Sequence, residues 1–278
     1  MRRQIKTTYV AVHDADGSWR WRFRALWLHR ELLYFLALRD IKVRYKQTVL
    51  GAVWVVLQPA AIALTLTLFL GRLVQVPSAG MPYLVFAYSG MVVWLLFANS
   101  LTESSNSLTA NDRLIGKVYF PRLVIPISVV LAALPDFAIN ACVLGLMLAY
   151  YHLVPAWTLL LAPLLVVLEL MAALGTGLWL TALNVKYRDV RYTVNFLVQF
   201  WFFATPIAYP VSVVPQRWQA WYGLNPMVGV VEGFRWSLTG EGPIPARLLA
   251  ISAGMATVLL LSGLAYFSHT EDTFADFI

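Results

Sequence analysis

Long uncharged apolar stretches alternate with short polar, mostly basic connections along nearly the whole chain. Between Lys46 and Arg72 no charged residue occurs, and a helix of that length can cross a hydrocarbon core of roughly 30 Å. Repeats of this pattern predict six spans, at about 49–70, 82–102, 122–150, 156–183, 192–209 and 247–267. The third and fourth are long enough to tilt or to extend past the membrane. The chain ahead of the first span is different. Residues 1–24 are polar and mixed and read as a cytoplasmic N-terminal segment, partly disordered at its start. From Ala25 to Lys46, apolar patches with Trp27, Tyr34 and Tyr45 are interrupted by Arg30, Glu31, Arg39 and Asp40, which is too much charge for a span. As a helix this segment puts Arg39, Lys42 and Lys46 on one side and Leu28, Leu32, Phe35 and Leu36 on another. A helix lying along the cytoplasmic membrane surface fits that division. An amphipathic helix packed on protein fits it as well.

Charge assigns the sides. The first 46 residues carry eleven Lys and Arg. The connection after span two adds Arg113, Lys117 and Arg122, and the one after span four adds Lys186, Arg188 and Arg191. Opposite them stand only Arg72, Arg217, Arg235 and Arg247. Six spans with both termini cytoplasmic satisfy the positive-inside rule. With 60% hydrophobic and 13% charged residues, the chain reads as one integral membrane unit, not a soluble domain. The net charge of +7 sits at span ends, where topology and anionic headgroups account for it and nucleic acid does not. Cys142 is the sole cysteine, so no internal disulfide framework exists. Met1 to Asp16 lacks the apolar core of a cleavable signal.

The outer connection, about 210–246, is unusual for a loop. It holds Trp218, Trp221, Tyr222, Phe234 and Trp236 beside turn formers Gly223, Asn225-Pro226 and Gly240. MVGVVEGF is too apolar for a free loop and too short to cross. Short helices dipping back into the outer leaflet would explain it, since irregular chain is tolerated at depth where protein covers it. Such helices are expected here, with a belt of aromatic interface anchors as the alternative reading.

Catalytic chemistry is hard to find. No GxxxxGK[ST] loop is present, and the GTG at 175–177 lies inside a span, where close helix packing explains it. His13, His29, His152 and His269 are scattered without metal-ligand spacing. Neither a nucleophile elbow nor a paired-carboxylate motif occurs. This chain is therefore not expected to hydrolyse ATP. Two acids fall within spans, Asp136 just after Pro135 and Glu169 near the middle of span four. Such acids are costly and suggest function by default. A proton relay and a structural hydrogen-bonding role are both open. The stretch after span two, LTESSNSLTANDRLIGKVYFPR, is polar, with Glu103, Asp112, Arg113 and Lys117. It is suited to a short helix under the membrane, a contact for a soluble partner, or to a plain loop.

Five separated strings, taken in order, resemble the permease subunit of type-2 ABC exporters of polysaccharide, the group that handles lipid-linked O-antigen, capsule polymers and teichoic acid. They are RDIKVRYKQTVLGAVWVVLQP at 39–59, LIGKVYFPRLVIP at 114–126, ALNVKYRDVRYTVNFLVQFWFFATPIAYP at 182–210, LNPMVGVVEGFRWSL at 224–238 and FADFI at 274–278. The resemblance runs from about Ala25 to the last residue, so 25–278 would be one type-2 ABC transmembrane domain. It implies a homodimer in a bacterial inner membrane, each copy binding a separate cytoplasmic ATPase subunit that holds the ATP and magnesium. The chain itself would carry no cofactor. The stretch holding Glu103, Asp112, Arg113 and Lys117 would be the coupling helix seated in a groove of that ATPase. Residues 25–46 would be the interfacial helix, and 210–246 the re-entrant gate helices.

A polymer channel at the dimer interface, with aromatic rings along it, is the remaining implication. Sugar rings present C–H faces that stack on aromatic rings without hydroxyl stereochemistry being read, so a sliding polymer is not trapped at one register. Trp201, Phe202 and Phe203, with Tyr209, Trp94 and Phe97, are the candidates for such a path. Arg39, Lys42, Arg44 and Lys46 are candidates for attracting a pyrophosphate-lipid headgroup, though topology control explains them equally well. Three other readings stay open: a type-2 ABC exporter of a drug or small lipid, a proton-coupled secondary transporter using Asp136 and Glu169, and a membrane enzyme acting on lipid-linked sugars.

Overall fold

The computed structural model describes residues 26–46, 51–116, 120–187, 189–240, 242, 244–271 and 274. The expected N-terminal segment 1–24 lies outside them, as do Lys117 of the expected coupling stretch and 275–278 of the FADFI ending. Among the described residues the architecture is all-helical. Its main helices are α1 (Arg30–Lys46), α2 (Gly51–Leu66), α3 (Tyr83–Ala110), α4 (Val124–Ala132), α5 (Leu134–Tyr150), α6 (Ala162–Lys186), α7 (Val190–Phe203), α8 (Gln216–Tyr222), α9 (Pro226–Thr239) and α10 (Ala246–Thr270).

Five stretches are long and apolar enough to cross a membrane. They are Val53–Leu73, Tyr83–Ala110, Val124–Tyr150, Trp157–Lys186 and Ala246–Thr270. Against expectation α7 is shorter. Its 14 residues rise about 21 Å, less than the roughly 30 Å of a hydrocarbon core. The third stretch is also not one smooth helix. Pro135 stands in the first turn of α5, and having no N–H to donate, it makes the helix restart after Ala133.

Helix α3 is the post around which the others stand. It packs on α2, α4, α5, α6, α7 and α9, and 83% of its apolar window is buried, against 11% for the α2 stretch and 17% for α10. The outer faces of α2 and α10 are apolar and uncovered by the chain, as faces turned to lipid or to another subunit would be. On α6 the GTG is a pinch point, in keeping with close helix packing. A Cβ on Gly175 would stand 2.5 Å from the Leu259 carbonyl carbon of α10, and one on Gly177 would stand 2.6 Å from Ser104 Oγ of α3. Small residues let these backbones touch, the main source of helix attraction where lipid replaces water.

A second core lies at the end of the molecule that carries the basic residues. It joins Leu36 of α1, Leu108 of α3, Phe120 and Leu123–Ile125 around the start of α4, Leu178 and Val185 of α6, and Phe267 with Phe274. The Arg122 amide donates to Glu271 Oε1 at 3.1 Å, and its guanidinium donates to the Glu271 carbonyl and lies over the Phe274 ring. Only part of the apolar side expected of α1 enters this core. Leu36 is buried there, while Leu28 and Phe35 stay exposed beside Trp27 and Tyr34.

Candidate functional site

At the basic end, α3 runs on past Glu103 to Ala110 and is followed by a single helical turn, Asp112–Ile115. Asp112 and Arg113 project from that turn, exposed, while Leu114 and Ile115 pack on the second core. Arg39 of α1 reaches across and donates to Asn111 Oδ1 at 3.0 Å while pairing with Asp40. The turn is thus mounted on α1 as well as on α3. Glu103 is set apart from Asp112 and Arg113. It lies two turns back on α3, in the wall of a cavity.

That cavity, about 300 Å³, lies between the end of α1, α2, α3 and the start of α5. Of the four basic residues expected at the headgroups, Lys42 and Lys46 are exposed and Arg39 is held as above. Arg44 turns inward, its Nη1 2.5 Å from Asp136 Oδ2. The Tyr45 hydroxyl donates to the other Asp136 oxygen. Burial, and after it this hydrogen bond, push the Tyr45 phenol above its ordinary range, so it remains a donor. Asn140 donates to the Asp136 carbonyl at 3.0 Å and accepts from the Tyr88 hydroxyl at 3.0 Å. Asp136 therefore fastens α1 to the restart of the broken stretch, where Pro135 frees backbone groups. Glu169, the second acid, is fully buried on α6, and neither carboxyl oxygen has a hydrogen-bond partner among the described residues.

The six rings proposed for a path divide between two environments. Trp94 and Phe97 of α3 are buried. Phe97 meets Trp201 edge-on at 5.0 Å, and Trp94 meets Phe202 at 5.7 Å, offset geometries that aromatic quadrupoles favour. These four rings glue α7 to α3. Phe203, by contrast, is 69% exposed, and Tyr209 is half-exposed with its hydroxyl 2.8 Å from that of Tyr222. Phe203 also has company that sequence reasoning missed. Tyr192, Phe196 and Phe200 are exposed with it, and spacings of four, four and three put all of them on one face of α7. The period was present in the sequence, but the WFF triplet drew attention to residues that face different ways.

The connection expected on the outer side is pinned, not free, at its described residues. Asn225 caps α9 by accepting from the Met227 amide at 3.0 Å and from Trp201 Nε1 at 2.8 Å. Its amide nitrogen donates to the Ala204 carbonyl at 2.9 Å. Arg235, expected as an outer loop charge, is instead buried. It donates to the Pro206 and Ile207 carbonyls, each at 2.6 Å, and lies 3.6 Å from the Phe86 ring centre. Those carbonyls belong to the irregular turn after α7, where the helical ladder no longer occupies them. Of the expected gate residues, Trp218 and Trp221 are exposed on α8, Tyr222 and Trp236 are half-buried, and Phe234 is buried edge-on to Phe137.

Comparison with known proteins places these features together. The family model described as ABC-2 type transporter matches residues 31–239. The O-antigen export system permease protein RfbA of Myxococcus xanthus is 30% identical over 258 residues, covering 92% of this chain and 98% of that protein. A protein of the same name from Klebsiella pneumoniae is 29% identical, covering 89% and 95%. The polysialic acid transport protein KpsM of Escherichia coli is 26% identical, covering 85% and 92%.

Proposed function

Because the chain belongs to the ABC-2 type transporter family, we propose that it is the membrane subunit of an ATP-driven exporter moving a lipid-anchored polysaccharide out of the bacterial cytoplasm. The relatives' names carry the substrate class. The exposed aromatic face of α7, Tyr192, Phe196, Phe200 and Phe203, carries the mechanism. In a homodimer this face would line a passage between copies, offering stacking area without fixed hydrogen bonds. Six passes then follow if α7 and the turn Ala204–Pro210 together complete the fifth. The basic end is cytoplasmic, with both termini, and the pinned α8–α9 connection dips in from the outer side. Asp112 and Arg113 sit at the tip that would enter a groove of each of two ATPase subunits, where ATP and magnesium are bound.

A proton-coupled transporter would need Asp136 free to exchange protons, whereas Arg44 and Tyr45 hold it. A drug or small-lipid exporter would not need a row of rings along α7. The test is export of surface polysaccharide by a Phe200→Ala/Phe203→Ala double variant. Loss of two stacking rings is expected to slow export about tenfold with the ATPase complex still assembled. Trp157→Ala, which removes an exposed ring elsewhere, should export normally. Unchanged export in the double variant would place the α7 face in lipid.

A further inference from the structure

The cavity at the basic end has a composition that neither topology nor coupling requires. Two helical pairs face one another across it: Trp54 and Gln58 on α2, Asn99 and Glu103 on α3. Each pair is spaced by four residues, so each presents one side of its helix. Gln58, Asn99 and Glu103 are exposed to the cavity, and no hydrogen bond or ion pair is formed by their side chains among the described residues. Exposed in the cavity and without protein partners among the described residues, these groups are left to bond water or a ligand. Glu103 lies about 30 Å along α3 from Tyr83, so the cavity sits at the depth of the inner headgroups under the reading above.

We propose that this cavity is a saccharide-binding pocket for an uncharged sugar unit close to the lipid anchor of the polymer, an inference that rests on that exporter reading. A sugar ring needs a flat apolar surface for its C–H face, and Trp54 supplies one. It also needs groups that both give and accept hydrogen bonds, because each hydroxyl does both, and the Gln58 and Asn99 amides match that need. The Glu103 carboxylate adds an acceptor of the stronger charge-assisted kind. An anionic ligand such as a pyrophosphate fits poorly. The lining has one cation, Arg44, against Asp136 and Glu103, and Arg44 already faces Asp136 at 2.5 Å. The volume of about 300 Å³ is at the small end for ligand pockets, enough for a mono- or disaccharide unit and not for a polymer segment.

The probe is the short-chain glycan released by mild acid from the polymer's lipid-linked precursor, which keeps the anchor-proximal sugar at its reducing end, offered to the purified wild-type complex and read by saturation-transfer NMR and titration calorimetry. Binding is expected, with affinity lowered at least tenfold in Gln58→Ala/Asn99→Ala and in Trp54→Ala and largely restored in Trp54→Phe. Inorganic pyrophosphate should not compete. Size-exclusion elution with the ATPase identifies folded variants, and if Trp54→Ala fails to assemble, the amide pair and Trp54→Phe still decide. No binding to the wild type, equal binding by the amide variant, or displacement by pyrophosphate would overturn the pocket. Deleting the chain separates this from the broader reading: if the host loses its surface polymer while the pocket fails these tests, the exporter stands and the pocket falls. If the polymer persists after deletion, both fall.

Discussion

At the scale of single residues, the turn after α7 depends on one buried guanidinium. Arg235 spans the Pro206, Ile207 and Phe86 carbonyls and a ring face, and Glu232 accepts the Val211 amide beside it at 2.9 Å. Arg235→Met leaves those carbonyls unpaired, and each buried acceptor left unsatisfied costs about 1–3 kcal/mol. Arg235→Lys should not rescue it, because an ammonium cannot fork between two carbonyls and stack on Phe86 at once. Thermal unfolding of the purified complex is expected to show a large drop for both variants. A wild-type midpoint in either would remove the latch. The sequence showed Arg235 only as a cation on the outer side, because backbone carbonyls are invisible partners in a string of letters. Asp136 was legible as costly, but its partners Arg44 and Tyr45 lie about ninety residues away.

At the scale of helices, hydropathy located five of the six expected spans as stretches long and apolar enough to cross, because a membrane imposes length and polarity together. Finer breaks were less legible. The restart at Pro135 and the short α7 depend on how neighbours satisfy the backbone, which pattern alone does not report. The GTG was readable, and its geometry yields a contrast between glycines. Gly175→Val should drive α6 and α10 apart and abolish assembly, since its Cβ would meet the α10 backbone at 2.5 Å. Gly145→Val and Gly254→Val meet nothing within 4 Å and should assemble like the wild type. Detergent-extracted complex on size exclusion checks all three, and assembly by Gly175→Val would refute the contact.

At the scale of the whole molecule, the two cores share α3, α6 and α10. The larger core holds the aromatic glue and the Arg235 latch, and the smaller one carries the exposed turn at Asp112 and Arg113. Arg113→Glu should leave the fold intact, since the side chain projects from it, yet lower polymer-stimulated ATP hydrolysis about tenfold by reversing a contact charge. Proteoliposomes with the ATPase measure this, and unaltered stimulation would dissociate the turn from coupling. The same preparation without the ATPase should move no polymer, and vigorous transport there would undo the exporter reading. Much of this plan was legible because recognisable strings lie at several of its joints. The string at 224–238 contains Asn225, Glu232 and Arg235, the residues that pin the outer turn.

Helix α3 contains no proline over its 28 residues, and its ends hold the two parts of the molecule that have most to communicate. Near one end the Phe86 carbonyl accepts from Arg235 at 3.3 Å, and at the other the chain turns directly into Asp112 and Arg113. About 40 Å of unbroken helix joins them as a rod, so under the proposed function a tilt imposed at the Asp112–Ile115 turn would be felt beneath Arg235.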